Sequence, residues 1–155
     1  MALSTGYLTS KQRQIWNLKS KGHLEANIAR KLNVTRQTVH KSLNVANTKV
    51  SQALQETAKI NKIQVKTIDP TKGFLMGYSP ELKTEAMITF SARNGVQIWY
   101  RHEGDCENCD QLQTCRTTLI AEAEDRNIQF AANPHSILPS KLAEILFSKI
   151  TGEPK

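Results

Sequence analysis

The sequence predicts an α+β fold in which helix-forming and strand-forming segments occupy different parts of the chain. Up to residue 62, apolar residues recur every three or four positions, which is typical of amphipathic helices. Between residues 63 and 101, apolar and polar residues alternate in short runs bounded by turn-forming residues, which indicates strands. The charge changes at the same point, since residues 1–62 hold 11 lysines and arginines against two acidic residues (net +9), while residues 63–155 hold 10 against 12 (net −2). We therefore predict two domains, a basic helical domain with a connecting helix over residues 1–62 and an α+β domain over residues 63–155.

The first helix is predicted to begin directly after Leu8. Thr9 or Ser10 would serve as its N-cap, because a hydroxyl there accepts a hydrogen bond from a free backbone N–H of the first turn. Gly22 is expected to end the helix. Its apolar face would consist of Ile15, Trp16 and Leu18.

The segment from Leu24 to Leu43 predicts two helices joined by a tight turn. Asn33 is suited to the turn, since asparagine tolerates the left-handed backbone region, and Thr35 is suited to cap the second helix. The apolar contacts of this helix-turn-helix core would be made by Ile28, Ala29, Leu32, Val34, Val39 and Leu43. The polar face of the second helix carries side chains that suit base edges and phosphates of double-stranded DNA: Arg36, Gln37, Thr38, His40, Lys41 and Asn44.

The run LTSKQRQIWNLKSKGHLEANIARKLNVTRQTVHKSLNVANTKVSQAL, roughly residues 8–54, resembles the DNA-binding domain of LuxR-type regulators and of sigma factor region 4. Within that group it is most similar to archaeal Tfx-type regulators. The resemblance implies that Arg36, Gln37, His40 and Lys41 face the major groove, and that Thr9, Lys11 and Lys49 lie near phosphates. It covers about a third of the chain and does not extend to the second half.

Apolar spacing continues beyond the motif and predicts one long helix, since no Gly or Pro interrupts it before Pro70. The steps of three and four describe a seam of mostly small residues: Val39, Leu43, Ala46, Val50, Ala53, Thr57 and Ile60. The seam either packs on helices of its own chain or forms a two-fold contact. We favour a homodimer, because dimeric helix-turn-helix proteins bind two half-sites about 34–36 Å apart.

Strands are predicted at residues 63–68, 74–78, 84–91 and 96–101, separated by turns at 69–73, 79–80 and 93–95. Asn94-Gly95 between two strand patterns is a strong hairpin signal. These segments predict a small antiparallel sheet. Its aromatic residues are expected to pack in the core, with a ligand pocket as the alternative: Phe74, Tyr78, Phe90, Trp99 and Tyr100.

All three cysteines of the chain lie within ten residues, at Cys106, Cys109 and Cys115. The Cys-x2-Cys spacing lets two thiolates bind one ion, and His102 with Cys115 would complete a tetrahedral Cys3His set suited to zinc. An iron–sulfur cluster is the main alternative, followed by a Cys106–Cys109 redox switch and by three unligated thiols. Other candidates for the fourth ligand are Asp105, Asp110 and His135.

Two helices are predicted after the cysteines, one from about Cys115 to Asn127 and one from Lys141 to Ile150 capped by Ser140. The first would bury Leu119, Ile120 and Ala123 and place its acidic residues on the opposite face: Glu122, Glu124 and Asp125. The second would bury its apolar side chains against the sheet or a partner: Leu142, Ile145, Leu146 and Ile150.

Together these patterns favour a sequence-specific, DNA-binding transcription regulator whose Cys/His metal site is structural or senses metal or redox state. We expect a cytoplasmic protein without a membrane partner, because no run of 18 or more apolar residues occurs. We do not expect an enzyme, since no paired-carboxylate, phosphate-loop or catalytic-triad pattern stands out. The alternative is a protein-interaction factor, resembling zinc-binding anti-sigma factors or adaptors, that acts on the transcription machinery without contacting DNA bases.

Overall fold

A computed structural model of the chain describes residues 8–101 and 104–152. The fold is α+β, with three helices, then a four-stranded antiparallel sheet, then two further helices. The elements are α1 (Ser10–Ser20), α2 (Glu25–Leu32), α3 (Arg36–Ile60), β1 (Gln64–Asp69), β2 (Phe74–Ser79), β3 (Thr84–Ser91), β4 (Gly95–Tyr100), α4 (Leu112–Asp125) and α5 (Pro139–Thr151), with a single 3₁₀ turn (Pro134–Ser136) before α5. Within the described ranges, no helix has both the length and the apolar character needed to cross a bilayer.

The sheet lies between two helical layers, with its strands in chain order β1-β2-β3-β4. Alternate residues of β3 point to opposite faces, as the two-residue period of a strand requires. Ile88 and Phe90 pack with α1 and α3 on one face, while Met87 packs with α4 and α5 on the other. The packing confirms that α5 is buried against the chain's own sheet.

The three N-terminal helices share a small core of their own, formed by Ile15, Ile28, Ala29, Val39 and Leu43. Thr9 and Gln12 form a reciprocal capping box at the start of α1. Asn33 ends α2 in the left-handed region at φ 54°, and Thr35 caps α3 by accepting the N–H of Thr38 at 3.1 Å. The predicted caps and turn residue are thus confirmed.

Helix α3 is continuous over 25 residues, as predicted, but its buried face differs from the predicted seam near the end. Ile60 is 79% exposed, whereas Leu54 and Ala58 are buried. A straight helix drifts by about 20° per heptad against a seven-residue repeat, so three heptads carry Ile60 off the buried face. The buried part of the seam packs on α1, α2 and the sheet of the same chain, which leaves it no room for a two-fold contact.

The four predicted strands are present, with an irregularity in the first. The pairing of β1 with β2 shifts register between Val65 and Thr67, and this bulge leaves Val65 49% exposed. Gly95 closes the β3–β4 hairpin at φ +66°. Phe74 and Phe90 are buried in the cores on opposite faces of the sheet, which favours the packing interpretation of the aromatic residues.

Two predictions about the C-terminal helices are wrong. Glu122 and Asp125 are buried instead of lying on an exposed acidic face, because Arg126 Nε lies 3.3 Å from Glu122 and Arg93 Nε lies 3.8 Å from Asp125. Helix α5 begins at Pro139 after Leu138, which makes no side-chain capping bond, and Ser140 lies inside the first turn. Proline is well suited to this position, since its missing N–H would have no helical partner there.

Candidate nucleic-acid interface and cysteine segment

The N-terminal part of α3 presents a polar surface, which we call the α3 polar face. Its six members are all exposed: Arg36, Gln37, Thr38, His40, Lys41 and Asn44. Val39 and Leu43, interspersed among them in sequence, are buried against α1 and α2. The structure therefore brings together all six residues predicted on this helix, on a backbone held by packing from behind.

Two members of the α3 polar face have side-chain partners. Thr38 Oγ1 lies 2.8 Å from Thr35 Oγ1, so this hydroxyl belongs to the cap of the helix. His40 Nδ1 lies 3.3 Å from Glu25 Oε1 at the start of α2. Sequence reasoning missed Glu25, because nothing in a linear pattern relates residues 15 positions apart on two helices.

The three residues predicted near phosphates lie in different settings. Lys11 is exposed on α1. The Thr9 hydroxyl accepts the Gln12 N–H at 3.2 Å as the N-cap. Lys49 Nζ donates to Gln12 Oε1 at 2.9 Å, which ties the middle of α3 to the first turn of α1.

The cysteine segment, residues 105–115, joins the loop after β4 to the first turn of α4. Its backbone folds back locally, since Cys109 N–H donates to Cys106 O at 3.4 Å and Leu112 N–H donates to Cys109 O at 3.1 Å. Cys106, Cys109 and Cys115 are all free thiols. Burial raises the pKa of the Cys115 thiol, and coulombic interactions with Cys109 and Cys106 raise it further.

The predicted fourth ligand, His102, lies outside the described residues. Among residues 8–101 and 104–152, no three His, Cys, Asp or Glu side chains are arranged to hold a metal ion. Of the other candidates, Asp105 accepts the Glu107 N–H at 3.1 Å, and its pKa is lowered by a hydrogen bond from the Asn108 side chain. His135 lies in the 3₁₀ turn.

A buried ion pair lies at the C-terminal end of α4, where sequence reasoning predicted an exposed acidic face. Glu122 Oε2 lies 3.3 Å from Arg126 Nε, and the two side chains are 0% and 6% exposed. Thr89 donates to Glu122 at 3.2 Å and accepts the Trp99 indole N–H at 3.0 Å. Burial raises the pKa of Glu122 and lowers the pKa of Arg126, because desolvation disfavours both charges.

The Arg126 guanidinium also joins one end of the β2–β3 pair to α4. It donates to Gly73 O at 3.1 Å, to Phe90 O at 2.9 Å, and to Lys72 O. On the same side, the Ser20 hydroxyl at the end of α1 donates to Asp125 O at 3.3 Å. These bonds hold α4, the sheet and α1 together. The only feature of the sequence that could have suggested the Glu122–Arg126 pair is the spacing of a glutamate four residues before an arginine.

Comparison with known proteins finds no matching family model, no matching curated protein and no matching solved structure. The resemblance of residues 8–54 to LuxR-type and Tfx-type regulators therefore stays a prediction that depends on the residues quoted for it.

Proposed function

We propose that the chain is a sequence-specific DNA-binding transcription regulator in which α2, its turn and α3 act as a helix-turn-helix motif. The observation that carries this proposal is the α3 polar face, with six exposed polar side chains on a helix buttressed from behind by α1 and α2. The major groove of B-DNA, about 12 Å wide, accommodates such a helix. In this proposal the first two to three turns of α3 enter the groove.

Individual side chains on this face suit particular contacts. Arg36 can form two hydrogen bonds to guanine, while Gln37 and Asn44 can do the same to adenine. Lys41 can neutralise a phosphate, as can Lys11 on α1. Lys49 would have to break its hydrogen bond to Gln12 to contact DNA. The Thr9 hydroxyl is used in capping, so Thr9 would act by fixing the start of α1.

Charge supports the same proposal. The net charge of +9 over residues 1–62 contrasts with −2 over the remainder, so a polyanion would be drawn to the helical part of the chain. Exposed basic side chains in that part are Lys11, Lys19, Arg30, Lys31, Arg36, Lys41, Lys59 and Lys62. Each phosphate that they neutralise releases counterions and makes binding salt-dependent.

The second part of the proposal is a metal site in the cysteine segment, held by Cys106, Cys109 and Cys115, with His102 as fourth ligand. Its support is chemical, since three free thiols within ten residues of the sequence form a soft donor set that suits zinc. A bound zinc would cross-link the loop after β4 to α4, giving the site a structural role. An iron–sulfur cluster on the same cysteines would instead make it a redox sensor.

A homodimer remains part of the proposal, but it has to use a surface other than the α3 seam. Ile60 and Val65, at 79% and 49% exposure, are apolar side chains available near the end of α3 and the start of the sheet. Two copies would place two α3 polar faces on successive half-sites.

The test is selection of binding sites from a randomised duplex library, followed by a salt titration on the selected site. We expect a sequence preference, and affinity that falls steeply as salt rises. Lys41→Ala should reduce the salt slope by about one, and the matched charge-removal control Lys141→Ala, on α5, should leave it unchanged. Binding with neither sequence preference nor salt dependence would refute the regulator and favour the protein-interaction factor.

Metal analysis and an absorption spectrum after anaerobic purification test the second part separately. One zinc per chain in a colourless protein is the expected result. A brown protein containing iron and sulfide would show that the cysteines hold a cluster in place of zinc. A protein purified without metal, whose circular dichroism spectrum is unchanged by added zinc, would refute the metal site.

A further inference from the structure

The contact between Glu25 and His40 links the two helices of the proposed DNA-binding motif at its surface. Glu25 lies in the first turn of α2, and its Oε1 is 3.3 Å from His40 Nδ1. The histidine side chain is 62% exposed and the glutamate 23% exposed, so the carboxylate lies on the protein side of the ring. One ring nitrogen is thus engaged by the protein while the other, Nε2, is free for an outside partner.

The chemistry of this contact determines what Nε2 can do. An ionised carboxylate has lone pairs but no proton, so it can only accept a hydrogen bond. In the contact with Glu25, Nδ1 must therefore carry the ring proton. In the neutral ring, Nε2 then has a lone pair and acts as an acceptor.

We propose that Glu25 is a positioning residue that makes His40 a hydrogen-bond acceptor toward DNA, and thereby determines the base that His40 prefers. The inference rests on the proposed function. In the major groove, the groups that can donate to such an acceptor are the exocyclic amino groups, N6 of adenine and N4 of cytosine. Guanine N7 and O6 and thymine O4 are themselves acceptors and would be disfavoured at this position.

Without Glu25, the ring would be released from this constraint. The proton could then reside on Nε2, which would become a donor able to bond to guanine or thymine. Loss of Glu25 should therefore change which bases are preferred at one position of the site and leave the phosphate contacts intact. A role limited to folding would not produce a change confined to one base position.

The first test requires no DNA. Long-range proton–nitrogen correlation spectra of the histidine rings, recorded above the histidine pKa, report which nitrogen carries the proton, and His40→Gln identifies the His40 signals. We expect the Nδ1–H form in the unmodified protein and a shift toward the Nε2–H form in Glu25→Ala. Alanine is a strong helix former, so α2 should persist in this variant. An Nε2–H form in the unmodified protein would overturn the inference.

The second test compares sites selected by the unmodified protein, by Glu25→Ala and by Glu56→Ala, a control that removes the only other acidic residue of the first 62. The unmodified protein and the control should prefer adenine or cytosine at one position. In Glu25→Ala this preference should weaken about fivefold, as expected for one hydrogen bond of about 1 kcal/mol when tenfold corresponds to about 1.4 kcal/mol.

The outcomes separate the inference from the function on which it rests. Absence of any sequence-preferring DNA binding by the unmodified protein would remove both. Normal DNA selection with the same base preference in Glu25→Ala would overturn the role of Glu25 alone. Adenine and cytosine are distinguished by the base recovered at the affected position.

Discussion

Replacing Arg126 with methionine would remove the cation from the buried end of α4 while keeping an unbranched apolar stem. The Arg126 side chain is 6% exposed, and its loss leaves Glu122 without a cation and removes one hydrogen bond from each of the carbonyls of Gly73 and Phe90. Breaking a buried pair in this way costs about 3–5 kcal/mol, because one charge stays desolvated and uncompensated. Since a domain of this kind is stabilised by about 5–15 kcal/mol in total, the variant should unfold at a much lower urea concentration.

The pH dependence of this loss has a definite sign. Burial raises the pKa of Glu122, so the folded state binds more protons than the unfolded state over the interval between the two pKa values. The contribution of Glu122 to the free energy of unfolding is therefore highest at pH values below its pKa in the unfolded state. It falls as pH rises through the pKa of Glu122 in the folded state. Without Arg126 the pKa of Glu122 rises further, and the difference between Arg126→Met and the unmodified protein should be larger at about pH 7.5 than at about pH 5.

Urea unfolding followed by circular dichroism at both pH values measures the effect. Lys141→Met is the matched control, because it breaks an ion pair on α5 whose partners are 60% and 61% exposed, for which about 0.2–1 kcal/mol is expected. The double variant Glu122→Leu/Arg126→Met should recover part of the loss, since neither charge is then buried. A loss in Arg126→Met no larger than in the control, or one that does not vary with pH, would refute the importance assigned to this pair.

The other predictions concern two backbone positions and the cysteine segment. Gly73→Ala should destabilise the protein by about 1–3 kcal/mol more than Gly95→Ala in thermal or urea unfolding. Both glycines have positive φ, but only at position 73 would the added Cβ lie 2.6 Å from Phe90 O. Equal losses of stability in the two variants would contradict this prediction. Asn33→Gly should change stability by less than Asn33→Ala, which should cost about 1 kcal/mol for a left-handed alanine. Chelation of a zinc-loaded protein should increase proteolysis near residues 102–115 if the metal is structural, whereas an unchanged cleavage pattern would argue against that role.

The caps of the N-terminal helices and the strand segments followed from local chemistry. Thr9, Asn33 and Thr35 act through backbone groups within a few residues, so a short stretch of sequence contains all the partners involved. The hairpin between β3 and β4 was equally local, since Asn94-Gly95 lies directly between two strand patterns.

The buried acidic residues could not be predicted in the same way. The positions of Glu122 and Asp125 depend on Arg126 and on Thr89 and Arg93, which lie about 30 residues away along the chain and meet them only after the sheet has formed. The helical pattern gives the residue type at each position but does not show whether a donor far along the chain compensates a carboxylate. The pattern therefore predicted that both residues lie on the exposed side of the helix.

The candidate site divides similarly. All six residues of the α3 polar face were predicted, because the exposed side of one amphipathic helix is fixed by its own period. The Glu25–His40 contact depends on how α2 crosses α3, and the mutual geometry of the cysteines depends on a loop, so neither could be derived from spacing alone.

The unbroken course of α3 has a mechanical consequence for the whole molecule. The helix presents its polar face at one end and supplies Val50, Leu54 and Ala58 to the core beneath the sheet at the other, with no hinge between them. Inserting one residue near Asn47 would turn the two ends relative to each other by about 100° and separate them by about 1.5 Å. The angle between the α3 polar face and the sheet, measured around the helix axis, is therefore set by the number of residues in a single helix. A partner bound to the α3 polar face would hold the sheet at a fixed rotation about that axis.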